Sequence, residues 1–166
     1  MFKKLFSFGS KESEEVIAAP LTGEVKNIED VPDPVFAQRM MGDGVAIIPS
    51  EGTVVSPVEG EVVQLFHTKH AIGIKSKNGV EILIHVGLET VSLNGEGFEA
   101  HVSQGQKVKA GDKLITFDLA FIGEKAKSTI TPIVITNGDS LGTINKSVNM
   151  QAQKGETTVM KVALEK

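Results

Sequence analysis

The chain contains no cysteine, no tryptophan and no tyrosine. Without cysteine it has no disulfide scaffold, no cysteine nucleophile, no zinc ribbon and no thiolate-held cluster. Its eight phenylalanines are the only aromatic residues, a poor supply of base-stacking platforms. An excess of basic charge is also missing. Seventeen Lys and Arg against 21 Asp and Glu leave a formal net charge of −4, the wrong sign for a general nucleic-acid binder. No stretch approaches the roughly 20 apolar residues of a membrane span. The apolar start, Met1 to Phe8, is too short for a signal-peptide core and lacks a small-residue cleavage site. What is present is an ordinary globular composition over 166 residues, 40% hydrophobic and 23% charged. That length suits one domain burying about two thirds of its unfolded surface. The expectation is a cytoplasmic domain whose chemistry uses histidine, carboxylate or hydroxyl groups.

Residues 1–15 read as a flexible tail, in which Lys3 and Lys4 offer at most weak contact with an anionic membrane surface. Residues 16–166 read as a single domain. There, short apolar runs alternate with Gly, Pro, Asn and Asp, giving candidate strands at Glu24–Ile28, Val45–Ile48, Thr53–Val55, Glu61–Phe66, Ala71–Lys75, Val80–Val86, Lys113–Phe117, Ile130–Ile135 and Thr158–Val162. Only Leu119–Lys127 and the region around Val35–Met41 look helical. Strands this closely spaced leave no room for the crossovers of a parallel sheet. The fold class is therefore all-β, an antiparallel β-sandwich or barrel-sandwich hybrid with a few short helical turns. A weak internal repeat supports it: Ala19-Pro-Leu-Thr-Gly-Glu-Val echoes Ser56-Pro-Val-Glu-Gly-Glu-Val, each a Pro-x-x-Gly turn feeding a strand. The spacing Val102, Gly105, Val108, Gly111, Leu114 sets turn residues between apolar anchors. It also occurs in the hybrids that carry biotin or lipoate, but the lysine setting of those modules is absent.

The four histidines are His67, His70, His85 and His101. In Val80-Glu-Ile-Leu-Ile-His-Val86 the even positions are uniformly β-branched and form the core face, so that His85 and Leu83 point outward. Asn78-Gly79 signals a hairpin back to Ala71–Lys75. With Asn78-Gly79 as a two-residue loop His70 lies diagonal to His85; with Lys77-Asn78 it lies opposite. Both place the imidazoles on one face, whereas an odd-length loop would flip it. Thr68 alternates onto that face if the strand stays regular. Paired neutral imidazoles suit a nucleophile with a hydrogen-bonding neighbour, and hence phosphoryl transfer, which needs chiefly positioning and charge stabilisation. Solvated histidines and a zinc site through His67, His70 and His85 are the rivals. The opposite strand parity of His67 and His70 disfavours the zinc site, and no His-Glu-x-x-His is present. Gly42-Asp-Gly44 and Gly95-Glu-Gly97 lack the third glycine of a dinucleotide fingerprint, and there is no Gly-Lys-Ser/Thr loop.

Around these histidines the chain resembles the glucose-family IIA component of the bacterial phosphoenolpyruvate-dependent sugar phosphotransferase system. The likeness lies in Asn27–Ala37, Met41–Gly44, Phe66-His-Thr-Lys-His-Ala71, Gly79–Val91, Gly95–Phe98, Gly105–Asp112 and Glu124–Thr129, within roughly residues 16–165. It implies a phosphotransferase component that accepts a phosphoryl group from phospho-HPr and donates it to the IIB domain of a permease for glucose-type sugars. His85 matches the phosphorylated histidine, modified on Nε2. His70 matches the supporting histidine needed for donation, and Thr68 the threonine that orients it. The resemblance further implies a partner patch of Val35, Phe36, Met41, Phe66, Leu83, Val86, Gly87 and Val91, with the Gly87 region leaving amides free for phosphate. Aliphatic Leu83 and Val86 stand where some members carry aromatics. Asp33, Glu81 and Glu89 are expected to ring the patch and steer basic partners. No intrinsic cofactor is implied. In some relatives the unphosphorylated patch binds regulated permeases or kinases, and His70 and His85 are the residues through which an intermolecular zinc would be shared. A zinc metallopeptidase of similar β architecture is the alternative reading.

Overall fold

In chain order the strands are β1 (Glu14–Ala18), β2 (Gly23–Asn27), β3 (Asp43–Pro49), β4 (Thr53–Val55), β5 (Gly60–Leu65), β6 (Ala71–Ser76), β7 (Glu81–His85), β8 (Phe98–Ala100), β9 (Lys107–Val108), β10 (Lys113–Phe117), β11 (Thr131–Ile135), β12 (Ile144–Lys146), β13 (Met150–Ala152) and β14 (Thr158–Ala163); the helices are α1 (Pro34–Ala37) and α2 (Leu119–Lys125). These come from a computed structural model that describes residues 13–165. All nine strands expected from the sequence are present, with ends within two residues of expectation. The helix around Val35–Met41 is shorter than expected, because Gln38 ends it and Arg39 turns left-handed at φ 60°. Residues 1–12 of the expected tail lie outside the described residues. Its end is corrected, because Glu14 and Glu15 pair with Ala163 and Val162 as part of β1.

Every strand pair among the described residues is antiparallel. An eight-stranded sheet runs β13-β2-β3-β11-β7-β6-β5-β9, and two three-stranded sheets run β1-β14-β12 and β4-β10-β8. The weak sequence repeat is the key to this order. The Ala18 amide donates to the Pro57 carbonyl, and the Val55 amide donates to the Pro20 carbonyl. Gly155 donates to Ala19, and Gly111 to Ser56, each at 2.8 Å. These reciprocal bonds equate β1 with β4, β2 with β5 and β13 with β9. The large sheet accordingly reads as corresponding strands from either edge, with β11 and β7 at its centre.

Alternation along the central strands divides the core in two. Val45 and Ile47, Ile82 and Ile84, and Ile133 and Ile135 point into the principal cluster, which also gathers residues of both small sheets. Val102, Val108 and Leu114 are buried there, as the Gly-spaced anchor pattern requires. The intervening Ala46, Leu83 and Val134 face a second cluster with Ile28, Val31, Phe36, Ala71, Leu88 and Ile130, against which Phe66 packs. The Leu83 face of β7 is therefore covered rather than open, which corrects the outward face expected for it. The cover is the β2–β3 connection, whose helix α1 begins with Asp33 accepting a hydrogen bond from the Val35 amide and with Pro34 in its first turn. Asp-Pro at these positions fixes the helix start.

Candidate functional site

The β6–β7 hairpin turns through three residues, Lys77 to Gly79, with Gly79 donating to the Ser76 carbonyl at 2.9 Å and adopting φ 94°. This is a type I turn followed by a left-handed residue, a common three-residue hairpin. Neither even-length loop is used. Ala71 pairs with His85, and His70 falls opposite Val86. On a regular strand that register would put His70 and His85 on opposite faces. It does not, because neither residue lies inside regular structure on both sides. His70 ends the β5–β6 turn, in which Lys69 donates to Phe66 at 2.8 Å and is left-handed at φ 60°. His85 is the last residue of β7, and Gly87 follows at φ 72°. The imidazole centroids are 4.9 Å apart and nearly perpendicular, at 81°. The expected pair is real, but irregular strand ends bring it together rather than cross-strand parity.

The tautomer of His85 follows from a single bond. Its Nδ1 lies 2.8 Å from the Gly87 carbonyl, which can only accept, so Nδ1 carries the proton and the neutral ring presents its lone pair at Nε2. Thr68 Oγ1 lies 2.5 Å from His70 Nδ1. Thr68 is brought there by the turn, not by strand alternation. Phe36 packs on His85 with centroids 5.2 Å apart, and Phe66 meets His70 edge-on at 5.5 Å. The two phenylalanines come from symmetry-equivalent connections, β2–β3 and β5–β6.

These walls also set the charge. His70 is 4% exposed, and burial, helped by the neighbouring His85, lowers its pKa to about 4. Burial lowers His85 as well, opposed by its bond to the Gly87 carbonyl and by the charge of Asp33. At neutral pH both rings are neutral, so His85 is a competent nucleophile and no cation–cation repulsion separates the pair.

Around the rings the expected patch divides. Val35, Met41 and Val91 are exposed, whereas Phe36 and Leu83 are buried against the histidines or beneath them. Val86 is corrected: it has no exposure and points into the principal core, as its even position in the Val80–Val86 run dictates. Gly87 is buried, and its amide is directed to Thr131 Oγ1 at 3.3 Å instead of being left free. Of the three acids, Asp33 acts on His85 and Glu89 lies in the turn that follows it, but Glu81 stands at the far end of β7, about 13 Å along the strand. His67 is exposed, and His101 bonds Thr116 on a different sheet. The sequence reading did not single out Thr90 and Thr131, which brace the turn after His85. Only the unusual burial of two hydroxyls betrays them, and that is a property of the fold.

Residues 15–141 match the family model described as phosphoenolpyruvate-dependent sugar phosphotransferase system, EIIA 1. The chain is 75% identical over 164 residues to a PTS system glucose-specific EIIA component of Bacillus cereus, with 99% of each chain covered. It is 54% identical over 165 residues to the protein of the same name from Staphylococcus aureus, again with 99% of each covered. Among solved structures it is similar to glucose permease IIA from Mycoplasma capricolum, with a TM-score of 0.81 and 43% identity, covering 93% of this chain and 97% of that one.

Proposed function

Since the chain belongs to the EIIA 1 family of the phosphoenolpyruvate-dependent sugar phosphotransferase system, we propose that it is a cytoplasmic phosphoryl carrier, loaded by HPr and unloaded by the IIB domain of a glucose-type permease. The observation that carries this reading is the bond from His85 Nδ1 to the Gly87 carbonyl, which leaves Nε2 bare beside a second neutral imidazole. In loading, the Nε2 lone pair attacks the phosphorus of the donor's phosphohistidine in line. The new N–P bond forms as the donor N–P bond breaks, and the donor nitrogen keeps that electron pair. No proton need leave Nε2, and Nδ1–H stays on Gly87 throughout.

His70 has a separate role. When the Thr68 hydroxyl donates to His70 Nδ1, the proton of the neutral His70 ring sits on Nε2, where it can bond a phosphoryl oxygen on His85. That bond steadies the charge of the transferring group in a low-dielectric site. The exposed Val35, Met41 and Val91 form an apolar rim suited to docking both partners in turn. Regulatory binding of permeases or kinases by the unphosphorylated rim is compatible with the same surface. The metallopeptidase alternative lacks support, because a catalytic zinc takes three protein ligands and no group of three or more His, Cys, Asp or Glu among the described residues could hold a metal ion.

The test is incubation with phosphoenolpyruvate, enzyme I and HPr. One acid-labile phosphate per chain is expected, absent in His85→Ala. His70→Gln should still be labelled, but pass phosphate to IIB at least ~100-fold more slowly, the scale of a lost charge-stabilising donor. Undiminished labelling of His85→Ala would sink the assignment.

A further inference from the structure

Thr90 and Thr131 are each 0% exposed. Thr90 Oγ1 donates to the Val86 carbonyl at 2.6 Å. Thr131 Oγ1 donates to the Thr129 carbonyl at 3.0 Å and accepts from the Gly87 amide at 3.3 Å. The Val86 carbonyl and the Gly87 amide belong to one peptide plane, so the two hydroxyls hold that plane by both of its polar ends. The next plane offers the Gly87 carbonyl to His85 Nδ1 and the Leu88 amide to the Ser128 carbonyl, at 2.8 and 2.9 Å. Joining the two planes is a glycine at φ 72°, the residue type with the least resistance to rotation.

We propose that Thr90 and Thr131 are positioning residues: by clamping the 86–87 peptide they aim the Gly87 carbonyl at His85 and thereby fix the tautomer that leaves Nε2 nucleophilic. This rests on the phosphocarrier reading. The Leu88–Ser128 bond pins the second plane at its amide end only; with the first plane unclamped, the glycine joint lets the second plane turn about that pinned end, and the carbonyl shifts off Nδ1. His85 would then partition between tautomers, and the fraction carrying its proton on Nε2 cannot attack phosphorus. The shorter Thr90 bond is the stronger of the two, so Thr90 carries the larger share.

The experiment uses the full unphosphorylated chain with 15N-labelled histidine, reading the His85 ring nitrogens by long-range proton–nitrogen correlation at pH 7.5. Wild type should show a protonated Nδ1 and a bare Nε2, in at least about tenfold excess over the other tautomer, the ratio one hydrogen bond sustains. T90V should give a mixed population, and T131V a smaller shift in the same direction. T90S and T131S, which keep the hydroxyl and drop the methyl, should restore the wild-type spectrum. The rate of labelling by phospho-HPr at saturating donor should fall in step with the bare-Nε2 fraction. Circular dichroism identifies folded variants; if T90V does not fold, T131V against T131S decides. Valine variants that fold and keep the wild-type tautomer would overturn the proposal, as would serine variants that behave like the valine ones. Because the spectrum is read without phosphate, such a failure leaves the carrier reading standing; that reading falls on the labelling of His85→Ala instead.

Discussion

His70 illustrates how much of this site is set by burial, with the neighbouring His85 adding to its effect. Almost without exposure, it pairs its Nδ1 with a neutral hydroxyl and its ring with Phe66. The cost of bringing a cation into that setting moves its pKa from the ordinary 6.5 to about 4. The consequence for stability has a definite sign. Unfolded, the ring binds a proton below about pH 6.5, whereas folded it stays neutral down to about pH 4, so the unfolded chain binds more protons in between. Stability should therefore fall as pH drops from 6.5 to 4 and level off below, with a contribution from this residue of about 3 kcal/mol or less. Urea titrations at pH 7, 6, 5 and 4 on wild type and His70→Gln isolate the effect, since carboxylate titrations are common to both. A difference that does not change with pH would mean that His70 titrates in the fold as it does in the unfolded chain.

At the scale of the element, the site is made by strand ends. The alternation of Val80 to Val86 was legible in the sequence and held: Ile82 and Ile84 are core, and His85 shares the Leu83 face. The hairpin register was not legible. Asn-Gly is a strong two-residue signal, but here Gly79 takes the third loop position, and the difference moves every partner by one. The histidines meet only because a left-handed Lys69 and a left-handed Gly87 redirect the backbone just outside β6 and β7. No period in the sequence encodes such a redirection. Strands β1, β8, β9, β12 and β13 escaped the reading for another reason: most are two or three residues long, β1 opens on two glutamates, and β1, β9 and β13 take their partners from distant parts of the chain. The turn after His85 gives the test at this scale. A Cβ on Gly87 would lie 2.8 Å from Thr90 Cγ2 and 2.9 Å from the Ser128 carbonyl, at a φ that side chains rarely adopt. Gly87→Ala should cost about 2–3 kcal/mol, seen as a Tm lowered by roughly 4–10 °C, and should slow labelling by displacing the acceptor of His85 Nδ1–H. A Tm within a degree of wild type would show that the turn is not the tight joint described.

The whole molecule is a duplicated frame with an unduplicated site. Corresponding strands mirror each other across β11 and β7, yet the two equivalent connections differ: β5–β6 is a tight turn bearing Thr68 and His70, and β2–β3 is a longer excursion bearing Asp33 and Phe36. Both reach the second apolar cluster, where Phe36 is buried and Phe66 packs from the side, and so the frame delivers two dissimilar walls to one pair of imidazoles. Charge is distributed to match. The chain is net negative, Asp33 acts on His85, and Glu89 is exposed in the following turn. A basic donor surface would therefore be drawn toward the histidines over distances comparable to the Debye length, about 10 Å at 0.1 M salt. The association rate with phospho-HPr, measured by rapid-mixing transfer, should fall about tenfold or more between low and high ionic strength. Glu89→Gln should lower that rate at low salt and flatten its salt dependence, while the rate of transfer within the bound complex stays near wild type, since a rim charge acts on encounter and not on the reacting nitrogen. An association rate indifferent to salt would place recognition in the apolar rim of Val35, Met41 and Val91 alone.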